Sequence, residues 1–300
     1  MSVTIHPLTP DFVAEVGDVD LAQPLPADDL AAIRSAYSTY SVLVFPDQHL
    51  TPDEHLAFAC NFGPLEGAGG AYGGRRNEAS RIRPELGDAS NLNTDDKIWD
   101  KNSRLRMLMM ANRVWHTDSS FKHAPANASL LYARAIAPVG GQTEFASQRG
   151  AYDALPDATK KELDGLVAEH SLMFSRQRLG FTDFNEDERR LFEPVPQLLV
   201  RTTPENGRKS LFLSSHAGRI RGMQDEAAVA LLDRLMEHTT QRQFIYTHRW
   251  RLHDLVMWDN RCTLHRGRDF DDMRWRRDLQ RATTSDELNT CERAGLAVAA

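Results

Sequence analysis

The chain has 300 residues, 41% hydrophobic and 26% charged, ordinary proportions for a globular protein long enough to bury a full-sized core. Its formal net charge of −6 argues against a nucleic-acid partner, which would normally meet a basic face. The first residues, MSVTIHPLTPDF, lack the basic-then-apolar pattern of a signal peptide, and no apolar run approaches the roughly 18–20 residues that span a membrane.

In chain order, Leu30, Ile33, Tyr37 and Tyr40 recur at helical spacing, and Ser41 to Phe45 reads as a short buried strand. Pro52 follows Thr51, a natural N-cap, and opens a second helix carrying Leu56, Phe58 and Phe62. From about Gly63 to Arg106 the periodicity lapses into GAGGAYGG and a polar stretch, a 63–106 loop or lid region. From Met107 onward short strand-like runs alternate with turn signals: 107–115, 129–136, 143–146, 168–173, 197–201, 209–213, 242–247, 254–259 and 279–284. Two helices interrupt them, at 148–166 and at 224–238, where Val229, Leu232, Leu235 and Met236 share one side. The stretch 286–300 reads as a flexible tail. Many short strands with little βαβ alternation predict a mainly β fold with decorating helices, an antiparallel barrel or double-stranded β-helix (jelly roll), as one domain over 1–300. Cys60, Cys262 and Cys291 are widely spaced with no C-x-x-C pair, which fits free thiols in a reducing cytoplasm.

The chemistry-bearing pattern is WHTDSSF, with His116 and Asp118 two apart. On an extended strand such residues face the same way, so imidazole and carboxylate can converge on one ion. A second histidine would complete a two-His-one-carboxylate facial triad, leaving three cis positions open. H-x-D alone is weak in a chain with 11 histidines, where a histidine beside a turn aspartate is the plainer explanation. Its weight comes from LVMWDNRCTLHRGR, which places His265 just after a strand ending in Trp258-Asp259-Asn260, and from the cations of RRDLQRATT downstream. A fixed guanidinium can grip a carboxylate through two parallel hydrogen bonds. There is no phosphate-binding G-x-x-x-x-G-K-S/T, no G-x-G-x-x-G, no H-E-x-x-H and no G-x-S-x-G.

Nine stretches in order, SVLVFPDQ, FACNFGPLEG, WHTDSSF, PVGGQTEFA, RGAYDALPD, EHSLMFSR, GRKSLFLSSHA, LVMWDNRCTLHRGR and RRDLQRATT, resemble the taurine / 2,4-dichlorophenoxyacetate dioxygenase family of iron(II)- and 2-oxoglutarate-dependent enzymes. The chain is most similar to the phenoxyacetate-cleaving, alpha-type branch. The resemblance implies that His116, Asp118 and His265 bind iron(II), and that Thr143 and Arg277 hold the distal carboxylate of 2-oxoglutarate. It also implies that Arg281 meets the acidic group of a small carboxylate substrate. Counting forward from His265 instead shifts the cosubstrate role to Arg276; counting back from RAT favours Arg277, because strand register changes less readily than loop length. Asn112, Ser119 and His216 resemble substrate-contacting positions, or else satisfy local backbone and packing. Trp115 and Trp258 flank the ligands most simply as core packing. The branch's substrate-facing lysines have no counterpart in GAGGAYGGRRNEASR. The implied reaction consumes O2, with ascorbate as an accessory reductant, and oxidises an aryloxyacetate to a phenol and glyoxylate while 2-oxoglutarate becomes succinate and CO2. The alternatives are a sulfonate or sulfate-ester (taurine-type) substrate, and a non-catalytic jelly-roll metal-binding module. A homo-oligomer is expected, with neither membrane nor nucleic acid as partner.

Overall fold

The computed structural model describes residues 2–66, 81–103, 106 and 110–298. Two strands that lack sequence signals, β1 (Thr4–Pro7) at the sheet edge and β2 (Val13–Gly17) beside it, open the fold. Helix α1 (Ala27–Tyr40) buries Ile33, Ala36 and Tyr37 and stops where Ser41 turns left-handed (φ 65°), which releases the chain into β3 (Val42–Phe45). Helix α2 (Pro52–Ala59) begins as its sequence dictates. The Thr51 hydroxyl accepts from the Glu54 N–H, and the Glu54 carboxylate accepts from the Thr51 N–H at 2.7 Å.

There follow β4 (Gly87–Asp88), β5 (Ala126–Ala135), β6 (Thr143–Ser147), α3 (Gln148–Asp153), α4 (Asp157–Leu163) and β7 (Val167–His170). Next come α5 (Leu172–Arg178), α6 (Glu186–Leu191), β8 (Val195–Leu198), β9 (Val200–Thr202), β10 (Lys209–Leu211), β11 (Ala217–Ile220) and α7 (Asp225–Thr239). The chain closes with β12 (Ile245–His248), β13 (Leu255–Asp259), β14 (Thr263–Gly267), β15 (Asp278–Ser285) and α8 (Thr290–Arg293).

A seven-stranded sheet runs β1-β2-β3-β13-β5-β15-β4 and so joins both ends of the chain; smaller sheets run β12-β6-β14, β11-β7-β8 and β10-β9. The large sheet is buried on both faces, so its strands alternate between two cores. Leu43, Phe45, Leu255 and Met257 pack under α1 and α2. Val42, Val44, Val256 and Trp258 point the other way and meet Phe145 of β6. This second layer, between two sheets of a jelly roll, is where the site lies.

Several expectations need correction. The strand expected at 107–115 is a 3-10 turn at Ala111–Arg113, with 107–109 outside the described residues. The 168–173 strand stops at His170 because the Ser171 hydroxyl accepts from the Met173 N–H and caps α5. Pro156 divides the 148–166 helix into α3 and α4. The 286–300 tail is not loose through 293: Asn289 caps α8 with Glu292, and Asn289, Thr290 and Cys291 are buried. Of the 63–106 region, 67–80 and 104–105 lie outside the described residues, while Ala89, Ser90, Asn91, Trp99 and Arg106 line a pocket.

Candidate active site

His265 sits in the middle of β14, opposite Phe145 of β6, two residues along from the Gly267–Thr143 pair. His116 lies outside any strand, which corrects the expected extended H-x-D. It forms an isolated β-bridge to His265, N–H to carbonyl in both directions at 3.0 and 2.9 Å. That bridge sets the two rings 4.1 Å apart. Thr117 is pinned by its hydroxyl to the Leu213 carbonyl at 2.9 Å, and the turn at Asp118 continues into left-handed Ser119 (φ 49°). Bridge and turn together bring the carboxylate back to the imidazoles.

His116 Nε2 is 3.8 Å from one Asp118 oxygen and His265 Nε2 is 3.7 Å from the other, and the three groups are buried with potential ligand atoms within 4.8 Å of one another. His116 Nδ1 is 2.8 Å from the Val114 carbonyl, which only accepts, so the proton sits on Nδ1 and the Nε2 lone pair faces the cluster. Burial lowers the pKa of both imidazoles, His265 well below its ordinary value, despite the nearby aspartate. Burial pushes the Asp118 carboxyl up, but Arg281, His265, His116 and the Ser129 hydroxyl outweigh it and hold it well below the carboxylate range. Two neutral imidazoles that line a cavity, with one ionised carboxylate beside them, fit a divalent cation with open positions.

The cavity is lined by His116 and His265 together with Thr143, Arg277, Arg281 and Asn112. Thr143 opens β6 after a tight turn in which Gly140 (φ 79°) approaches the Asp269 carbonyl so closely that a Cβ would lie 2.4 Å from it. The Thr143 hydroxyl accepts from Trp250 Nε1 at 3.0 Å. Arg277 is partly buried; its Nη1 donates to the Ala89 carbonyl at 3.2 Å, and it has no ion-paired carboxylate among the described residues. Lost hydration, then the nearby Arg113, lower its pKa to about 10, so it stays cationic at neutral pH. Arg276 points elsewhere: it is exposed and pairs with Asp278 and Asp96 outside the cavity lining.

Arg281 Nη1 donates to Asp118 Oδ1 at 2.5 Å, while its buried Nε has no hydrogen-bond partner among the described residues. Ser119 and His216 are buried but do not line the cavity. His216 packs edge-on to His116 at 6.3 Å and bonds Ser175 at 2.9 Å. Sequence reading missed Ser129 of β5, whose hydroxyl donates to Asp118 Oδ2 at 2.7 Å, and Asn260, which binds Ser129 in turn. Asn260 lies within the WDNR motif, but Ser129 is marked only by pairing across from Trp258 on β13.

Residues 4–283 match the family described as "Taurine catabolism dioxygenase TauD, TfdA family". The chain belongs to this family. It is 46% identical over 288 residues to an alpha-ketoglutarate-dependent 2,4-dichlorophenoxyacetate dioxygenase of Cupriavidus pinatubonensis, covering 96% of this chain and 99% of that one. It is 37% identical to an (S)-phenoxypropionate/alpha-ketoglutarate-dioxygenase of Sphingobium herbicidovorans, covering 89% and 90% of the two chains. Among solved structures, AAD-2 in complex with Mn(II) and N-oxalylglycine matches at a TM-score of 0.91 with 48% identity, covering 97% of this chain and 100% of that one. The β-rich architecture is thus the family's jelly roll.

Proposed function

We propose that this dioxygenase hydroxylates a small aryloxyacetate-type carboxylic acid. The enzyme is iron(II)- and 2-oxoglutarate-dependent. His116, Asp118 and His265 would hold the metal. Bound iron and 2-oxoglutarate supply the oxidising chemistry: O2 is consumed, 2-oxoglutarate becomes succinate and CO2, and the substrate gains a hydroxyl group. Arg277 and Thr143 bind the distal carboxylate of 2-oxoglutarate, the guanidinium by paired charge-assisted hydrogen bonds and the hydroxyl by a single one. N-oxalylglycine, present in the AAD-2 structure, places two carboxylates at the same spacing as 2-oxoglutarate.

Arg281, through donors other than the one on Asp118, takes the substrate acid group, with Asn112 beside it. Ser119 and His216 shape this end of the site from behind. Trp99, Leu131, Trp258 and Phe270 supply an apolar wall, which suits an aromatic ring better than the aminoethyl chain of a sulfonate. The residues' work is to orient the acids and keep water from the reacting carbon. Hydroxylation beside the ether oxygen yields a hemiacetal that collapses to a phenol and glyoxylate.

The observation that carries this reading is a cavity lined by two arginines, Arg277 and Arg281, beside a buried His-Asp-His cluster that Arg281 touches through Asp118. Aerobic turnover with iron, 2-oxoglutarate and a panel of acids tests it. Succinate and phenol should form with aryloxyacetates; succinate stimulated by taurine alone would refute it. We also place the enzyme in the cytoplasm as a homo-oligomer, supported by three free cysteines and by the resemblance to the family; light scattering tests the assembly.

A further inference from the structure

Three side chains behind Asp118 form a hydrogen-bond chain with only one possible direction. An indole N–H and a peptide N–H can only donate. Trp258 Nε1 and the Asp118 backbone N both point at the same atom of Asn260, at 2.9 and 3.2 Å, so that atom is the amide oxygen Oδ1. The amide's other end, Nδ2, must then donate to Ser129 Oγ at 2.9 Å. The Ser129 hydroxyl, having accepted, turns its own proton onto Asp118 Oδ2 at 2.7 Å. Exposure is 1% at Trp258 and 0% at Asn260 and Ser129, so water does not compete for these bonds. The register explains the convergence: Trp258 is directly opposite Ser129 on the paired strands β13 and β5, and Asn260 follows two residues on.

We infer that Trp258, Asn260 and Ser129 are positioning residues that hold the Asp118 carboxylate in the orientation in which it meets the two imidazoles of the metal site. Oδ2 is occupied by the serine proton and the carboxylate plane is fixed from behind. Oδ1 accepts from Arg281 in the same way, and each oxygen lies near one imidazole, Oδ1 3.8 Å from His116 Nε2 and Oδ2 3.7 Å from His265 Nε2. A carboxylate free to rotate would have to be reoriented when the metal bound, at a cost in affinity. Partners of this kind typically change metal affinity 10- to 100-fold when removed.

This rests on the proposed ligand triad, and Co(II) titration separates the two ideas. Calorimetry and the visible absorption of the Co(II)-loaded protein are measured on wild type, Ser129→Ala, Ser129→Thr and Trp258→Phe, with melting of the metal-free proteins alongside. A wild-type chain that takes no Co(II) sinks the triad itself. If wild type binds, Ser129→Ala is expected to lose 10- to 100-fold in Co(II) affinity with an altered spectrum, and Ser129→Thr, which keeps the hydroxyl, to hold the wild-type values. Wild-type affinity and spectrum in Ser129→Ala overturn the inference. So does a lower melting temperature with unchanged Co(II) affinity in the folded fraction, or a folded Ser129→Thr as weak as the alanine variant. Should Ser129→Ala not fold, Trp258→Phe decides: a weaker Co(II) site supports the chain of bonds, and an unchanged one overturns it.

Discussion

Removing Arg277 should cripple binding of 2-oxoglutarate and leave the fold intact. The guanidinium lines the cavity with one bond to the Ala89 carbonyl and a face on Phe270, 5.8 Å from the ring centroid. With no ion-paired carboxylate among the described residues, its removal orphans no acid. Two charge-assisted bonds to a ligand carboxylate, at about 1.5 kcal/mol each, come to roughly 3 kcal/mol. At about 1.36 kcal/mol per decade that is about two decades in affinity. Calorimetric titration of Mn(II)-loaded Arg277→Ala with 2-oxoglutarate should therefore show Kd raised about 100-fold, with the melting temperature within a few degrees of wild type. Arg277→Lys should recover only part, because an ammonium cannot form the paired bonds. Arg276→Ala, a change at an exposed arginine paired with Asp278 and Asp96, should leave Kd unchanged. The reverse pattern, with Arg276→Ala crippled and Arg277→Ala within threefold of wild type, would refute the assignment.

Three further outcomes follow from the geometry. His265→Ala removes one of the three proposed ligand groups and should abolish stoichiometric Co(II) binding in calorimetry; retained binding would move the site elsewhere. Arg281→Gln should raise KM for an aryloxyacetate at least tenfold while the Kd of 2-oxoglutarate changes less than threefold, in line with the loss of roughly 1.5 kcal/mol from one charged bond; equal losses for both acids would contradict separate anchors. Burial lowers the pKa of His55 to about 4 and that of His170 to about 3, from 6.5. Below pH 6.5 the unfolded chain therefore gains protons that the folded one refuses, and stability falls by about 1.4 kcal/mol per pH unit for each group down to its folded value. In urea titrations of the metal-free protein between pH 6.5 and 4.5, His55→Gln should show the shallower fall, and identical slopes would refute the account.

What could be read in the sequence was what is encoded locally. Thr51, Pro52 and Glu54 contain their own helix start, and the period of two in Val42 to Phe45 already divides that strand between the cores it separates. The candidate metal-ligand residues were legible as residue types at a spacing, but not their means of support. His116 and Asp118 meet through a left-handed Ser119 and a bridge to β14, whose partner lies about 150 residues away. Ser171 looked like the interior of a strand because its cap role appears only once Met173 has turned into a helix.

The arginine question shows how much a strand's alternation can decide. Arg277 and Arg281 are four apart and share a face with Leu279, whereas Arg276 shares its parity with Asp278 and Gln280. In the structure Asp278 pairs with Arg276 and Arg81, and Gln280 reaches His55, both on the face turned away from the cavity. Moving the cosubstrate anchor by one residue would place a cation on that face, beside acids that already neutralise it. Insertions in the 268–275 loop leave this parity untouched, because the pairing of β15 with β5 sets the register. A one-residue insertion inside β15, between Arg277 and Arg281, should therefore separate the two anchors onto opposite faces and abolish 2-oxoglutarate binding. The same insertion at exposed Met273 should leave the Kd within a few-fold of wild type. Equal loss at both positions in folded proteins would show that loop length, and not strand register, places Arg277.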